Sequence, residues 1–138
     1  MASGIYDRFK ANLMKKQVDC ENDTIKVALM NSNHSFNNTH NTWSQVSSNE
    51  ITGTGYTTGG KALTNKTVTQ GATTKWDADD VQWTEASFTA YHAVLYDDTL
   101  TEKDLICSFD FGGAKEVVNG TFTIQWSVDG IITLATAA

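Results

Sequence analysis

Residues 24–30, Thr-Ile-Lys-Val-Ala-Leu-Met, alternate along the chain, with Ile25, Val27 and Leu29 on one side. That period of two predicts a strand with one apolar face. Upstream the period changes: Ile5, Phe9 and Leu13 recur at four-residue steps, flanked by Tyr6 and Met14, which predicts an amphipathic helix over 5–16. Asp7 in its first turn and Lys15 and Lys16 in its last suit the helix dipole. The apolar stripe serves either to pack on the domain or to dock on a neighbouring subunit.

Downstream, apolar alternation returns in short segments at 62–69, 81–84, 88–96, 105–111, 121–128 and 131–134. In 121–128, Phe122, Ile124, Trp126 and Val128 alternate with Thr121, Thr123, Gln125 and Ser127, which predicts one buried and one wet face. Asp129-Gly130 then reads as a type I′ turn closing a terminal hairpin onto 131–134. Leu105, Cys107, Phe109 and Phe111 define another one-sided face, placing Cys107 in the core. Six or more short strands between Gly, Asp and Asn turns predict an all-β fold. The expected architecture is an antiparallel β-sandwich or jelly-roll-like barrel carrying one N-terminal α-helix.

The segment 31–48 is polar and longer than loops without structure usually run, so it is functional, mobile or hides a short element. Phe36 and Trp43 within it either pin the loop or contact a partner. The chain has no Pro, so sheet edges must be short, bulged or covered by another chain.

Length and composition fit one domain over 1–138: 40% hydrophobic and 19% charged residues describe a globular chain. No apolar run approaches the ~20 residues of a membrane span, and the first residues lack a signal-peptide core. Synthesis in a cytoplasm is expected, with no membrane partner. A net charge of −6 with scattered Lys and Arg argues against nucleic acid. Cys20 and Cys107, the two cysteines, have no zinc-type spacing and are expected as free thiols.

The segment 55–61 spells G-x-x-x-x-G-K, the start of a phosphate-binding loop, but Ala62 stands where magnesium needs Ser or Thr. It also precedes a β-branched stretch rather than a helix. Its glycines are therefore expected to shape a bulged connection. Asp77, Asp79 and Asp80 lack the Gly and distant Glu of a calcium loop and read as a turn, as does Asp97-Asp98. His92 falls on the strand face of Phe88, Ala90, Val94 and Tyr96, and no Gly-x-Ser-x-Gly elbow is present. A hydrolase would have to rest on His92 or on Asp80 with Glu85. Trp43, Trp76, Trp83 and Trp126 read as core or interface rather than a sugar platform, with Trp126 in the core, Trp83 at a strand end and Trp76 in a loop. No catalytic, cofactor-binding or metal-ligating residue is expected, and the chain is not expected to be an enzyme.

Four segments carry a resemblance. They are Ile5-Tyr6-Asp7-Arg8-Phe9-Lys10, the strand at 23–29, the run 53–63 continuing to Asn65-Lys66-Thr67-Val68-Thr69, and Trp76-Asp77-Ala78-Asp79-Asp80-Val81-Gln82-Trp83. With 93–98 and 122–126 they span nearly the whole chain, which resembles a family of small structural proteins of tailed bacteriophages. The resemblance implies a virion component, best matched by a capsid decoration (cement) protein on the capsid exterior. It implies a homo-oligomer, dimer or trimer, bridging subunits of the major capsid protein. Ile5, Tyr6, Phe9, Phe36 and Trp43 are the candidate interface residues. A tail or connector component and a carbohydrate-binding β-sandwich module are the alternatives.

Overall fold

The computed structural model describes residues 3–137. In chain order its elements are β1 (Gly4–Ile5), α1 (Asp7–Met14), β2 (Ile25–Met30), β3 (Lys61–Ala62), β4 (Thr67–Thr69), β5 (Thr73–Asp77), β6 (Val81–Asp97), β7 (Leu105–Ile124) and β8 (Ile132–Ala135). The strands form two antiparallel sheets, ordered β1-β7-β6-β2-β3 and β4-β5-β8. The fold is all-β, a sandwich of these two sheets with one helix near the N-terminus.

The main core gathers Ile25, Val27 and Leu29 of β2 with Trp76 of β5 and Trp83 of β6. The other side of β2 is buried too. Ala28 and Met30 pack with Tyr6, Val46, Val94, Tyr96 and Leu105, and Phe36 and Trp43 lie against this second cluster. The polar connection after β2 thus covers one face of the sheet. It hides two short 3-10 turns, Trp43–Gln45 and Ser47–Asn49, the first closed by a capping box between Thr42 and Gln45.

The helix is shorter than the four-residue periodicity suggests. Ile5 lies in β1, paired with Cys107, and the Tyr6 amide continues this by donating to Ile106 O at 3.0 Å. The helix begins only at Asp7, and Lys15 and Lys16 fall beyond its last residue. It is fastened to the start of β7, where Asp104 accepts from Arg8 at 3.1 Å and Asn12 at 2.8 Å.

Four expected strands are in fact two. Segments 81–84 and 88–96 join as β6, and 105–111 continues through 121–124 as β7. The interruptions that read as turns are β-bulges in one ladder, with positive φ at Glu85, Gly112, Gly113 and Asn119. A bulge between Ala90 and His92 also changes the facing parity. Phe88 and Ala90 join the main core, whereas Val94 and Tyr96 join the second cluster, so His92 does not share a face with Phe88.

The terminal hairpin does not form. Gly130 has positive φ and its amide donates to Ser127 O at 2.8 Å, but Asp129 does not take the second positive φ that a type I′ turn needs. The flanking strands then separate: β8 pairs with β5, while the end of β7 pairs with Val81–Trp83. Beyond β7, Trp126 is half-buried and Val128 is exposed, so neither enters the core. Segment 62–69 also divides, β3 joining the first sheet and β4 the second, with a break at Asn65 (φ 52°).

Candidate functional site

The glycine-rich run that mimics a phosphate loop is a connection lashed to the sandwich. Its Tyr56 hydroxyl donates to Glu50 Oε2 at 2.5 Å and accepts from the buried Leu29 amide at 3.0 Å. Gly59 donates its amide to the same Glu50 oxygen at 2.8 Å, and the Tyr96 hydroxyl donates to Gly59 O at 2.6 Å. The Tyr56, Gly59 and Gly60 amides are thus engaged inside the chain, and Lys61 is directed to Gln82 O, 5.9 Å from the Trp83 ring centroid. Burial, then the Glu50 carboxylate, hold the Tyr56 phenol protonated far above its usual range. Tyr56→Phe keeps the ring but strands the Leu29 amide. It is expected to lower unfolding free energy by about 1–3 kcal/mol in urea titration. A loss under about 0.5 kcal/mol would show that the hydroxyl is no lock.

The Asn31–Thr42 stretch brings a second constellation together. His34 is buried, with Nε2 2.9 Å from Ser108 Oγ and its ring 5.0 Å from that of His92. His92 Nδ1 lies 3.9 Å from Asp110 Oδ1. His34, His92 and Asp110 border an open cavity of about 490 Å³ with Tyr91, Phe36 and Gly112. Burial, reinforced by the neighbouring imidazoles, depresses His34 to about 4, so it is neutral at pH 7. The His34–Ser108 distance is that of a base and nucleophile, but Ser108 has no exposed surface and no substrate reaches its hydroxyl. Among the described residues no three His, Cys, Asp or Glu side chains converge to hold a metal ion.

The acidic positions are structural. Asp79 accepts from Thr64 and Asn65, and Asp80 accepts from the Trp126 amide at 3.0 Å. Trp76 stands in β5 rather than a loop and is buried, as is Trp83. A platform using all four tryptophans is therefore not formed. Trp43 stacks on Tyr96 at 4.5 Å and 15°.

Tyr6 and Phe9, two of the five candidate interface residues, are buried inside the chain. Ile5, Phe36 and Trp43 are half-buried, Phe36 against Tyr6 at 4.9 Å. Among the described residues, open contact surface lies elsewhere, and two places stand out. One is an apolar groove of about 150 Å³ between α1 and the smaller sheet, lined mainly by Phe9, Leu13, Val68, Trp76, Ile132 and Leu134. The helix periodicity pointed to Leu13, but Val68 and Leu134 come from strands whose pairing is not visible locally. The other is the outer edge of β7, where β1 pairs with Cys107 and Ser108, Ser3 Oγ accepts from the Asp110 amide at 2.9 Å, and among the described residues no strand lies beyond 111–124.

No protein-family model, characterised protein or solved structure matches this chain.

Proposed function

We propose that the protein is a tailed-bacteriophage virion component, a capsid decoration (cement) protein that reinforces the major capsid shell by non-covalent contact. The observation that carries this reading is the open outer edge of β7. Edge strands of this length invite pairing by another chain, and natural sheets usually shorten or cover them. Here the other edge strands are short, two residues in β1 and β3, three in β4 and four in β8. Among the described residues β7 is the long edge strand without a neighbour strand beyond Asp110, bulged at Gly112–Gly113 and near Asn119. A capsid subunit that adds a strand there gains backbone hydrogen bonds, and the exposed Val118 adds apolar contact. Repeated over a shell, a modest interface of this kind becomes strong through multivalency. The sequence resemblance across residues 5–10, 23–29, 53–69 and 76–83 supports the same class, and cementing requires no reactive group.

The reading predicts that particles stripped of this protein break at a lower temperature than intact ones and recover when it is added back. Val118→Asp, at an exposed position, should fold normally yet fail to restore the particles. Equal breakage temperatures for stripped and intact particles would exclude a cement role, and density on the tail alone would assign a tail component instead.

A further inference from the structure

We infer that Asn119-Gly120 is a site of spontaneous covalent modification, where the edge of β7 converts an asparagine into aspartate and isoaspartate. It is the one Asn-Gly pair in the chain. Asn119 is exposed and held at φ 48°, a left-handed conformation that strains a residue with a side chain. Its neighbour Gly120 faces Ala86, with a register shift on either side. Among the described residues no strand lies beyond this part of β7. A bulged edge of this kind opens locally at little cost, which lets the Asn119 backbone rotate into a reactive geometry. Glycine is not demanded here by the fold. Gly120 has no positive φ, and a Cβ built on it would meet Val117 Cγ2 at 3.4 Å, an ordinary contact. What the missing side chain leaves is an unshielded backbone nitrogen.

Ser87 supplies chemical assistance. Its amide donates to Thr54 O at 3.0 Å, which holds it in place. Its Oγ accepts from the Asn119 amide at 2.9 Å and donates to Asn119 Oδ1 at 3.4 Å. A donor on Oδ1 draws electron density from Cγ and steadies the negative charge that this oxygen takes up when Cγ is attacked. The step balances with water and hydroxide alone. Hydroxide takes the Gly120 amide proton, the nitrogen bonds to Asn119 Cγ, and the Cγ–Nδ2 bond breaks, releasing ammonia with a proton from water. The cyclic imide then takes up water. Opening at Cγ gives aspartate; opening at the backbone carbonyl gives isoaspartate, whose main chain runs through an extra methylene. Either product adds a carboxylate beside the exposed Val118.

Peptide mass mapping of the folded whole chain, aged in mildly alkaline buffer, tests the assignment. Asn119 is expected to become acid ahead of every other asparagine, with isoaspartate among the products. Gly120→Ala should slow the conversion by about tenfold or more, because a side chain shields the nitrogen and narrows the backbone's range. Ser87→Ala should slow it several-fold in the folded chain and leave it unchanged in the urea-unfolded chain, separating assistance by the fold from the reactivity of the dipeptide itself. Circular dichroism should show both variants folded. An Asn119 that persists while another asparagine converts, a Gly120→Ala rate equal to wild type, or a folded Ser87→Ala chain that converts as fast as wild type overturns the proposal. One consequence rests on the capsid reading: aged wild type should restore stripped particles less well than equally aged Gly120→Ala. Converted chain that restores them fully overturns that consequence alone, and stripped particles no weaker than intact ones overturn the capsid reading alone.

Discussion

Gly60→Ala is expected to be the most damaging single-methyl change in the chain, lowering stability by about 3–5 kcal/mol. Gly60 has φ +84°, a region in which an L side chain costs about 1–2 kcal/mol. A Cβ built there would stand 2.0 Å from Val27 O and 2.9 Å from Ala28 Cα. Neither can retreat, because β2 is the strand buried on both faces and is paired with β6 from Ile25 to Met30. Displacing the loop instead would break the Tyr96–Gly59 and Glu50–Gly59 hydrogen bonds. Gly112→Ala is the internal control. Its φ of +81° is nearly the same, but an added Cβ meets nothing within 4 Å, so only the conformational penalty of about 1–2 kcal/mol remains. Thermal melts should therefore separate the two variants, with Gly60→Ala down by roughly 10 °C or more. Equal losses at both sites would mean that the close approach to β2 contributes nothing.

The same glycine shows what was legible in sequence. Residue types in 53–63 sufficed to reject a phosphate loop, because Ala62 and the Thr-rich continuation broke the required pattern. The lock that replaces it was not legible, since Glu50, Tyr56 and Tyr96 are joined by hydrogen bonds spanning 6 to 37 residues with no shared motif. The period of two located β2, because a buried face must repeat in sequence, but in β6 the bulge between Ala90 and His92 splits the face it had joined. It misjudged where strands end. Glu85, Gly112 and Asn119 are turn-like residues locally, yet the ladder between β6 and β7 continues past them because cross-strand pairing outweighs local preference. At Asp129-Gly130 the turn chemistry was visible, but the partners of the flanking strands were set by β5 and β6, distant in sequence. The candidate contact residues suffered likewise. Tyr6, just before α1, and Phe9 within it are buried by the chain itself, and the exposed groove is assembled from four separate elements, α1, β4, β5 and β8.

Stability is expected to fall as pH rises above neutrality, and Asp97→Asn should abolish that fall. Asp97 is buried at the end of β6, its Oδ1 accepting from the Thr99 amide at 3.0 Å. Burial first, and then the side chain of Asp23, push its carboxyl up to about 8. At pH 7 the folded chain therefore keeps a proton between these two acids that the unfolded chain has released. A raised carboxyl stabilises the fold at low pH, and the contribution is lost as pH climbs from the ordinary carboxyl range through about 8. His34 acts in the opposite sense: depressed to about 4, it costs stability as pH falls from the ordinary imidazole range towards that value. Between these limits the two offset each other. Above pH 6.5 only the Asp97 limb remains, at most about 1.4 kcal/mol per pH unit and flattening above pH 8, giving a loss of about 2 kcal/mol by pH 8.5. Asn at position 97 still accepts from Thr99 and donates to Asp23, imitating the protonated acid without titrating. Urea unfolding of Asp97→Asn should then be flat from pH 6.5 to 8.5, and its decline towards pH 4 should steepen because His34 is no longer offset. The exposed carboxyls of Asp7 and Asp19, held low by their hydrogen bonds, lose their contribution only at lower pH and do not obscure the test. A wild-type profile that rises from pH 6.5 to 8.5 would show that Asp97 is ionised in the folded chain.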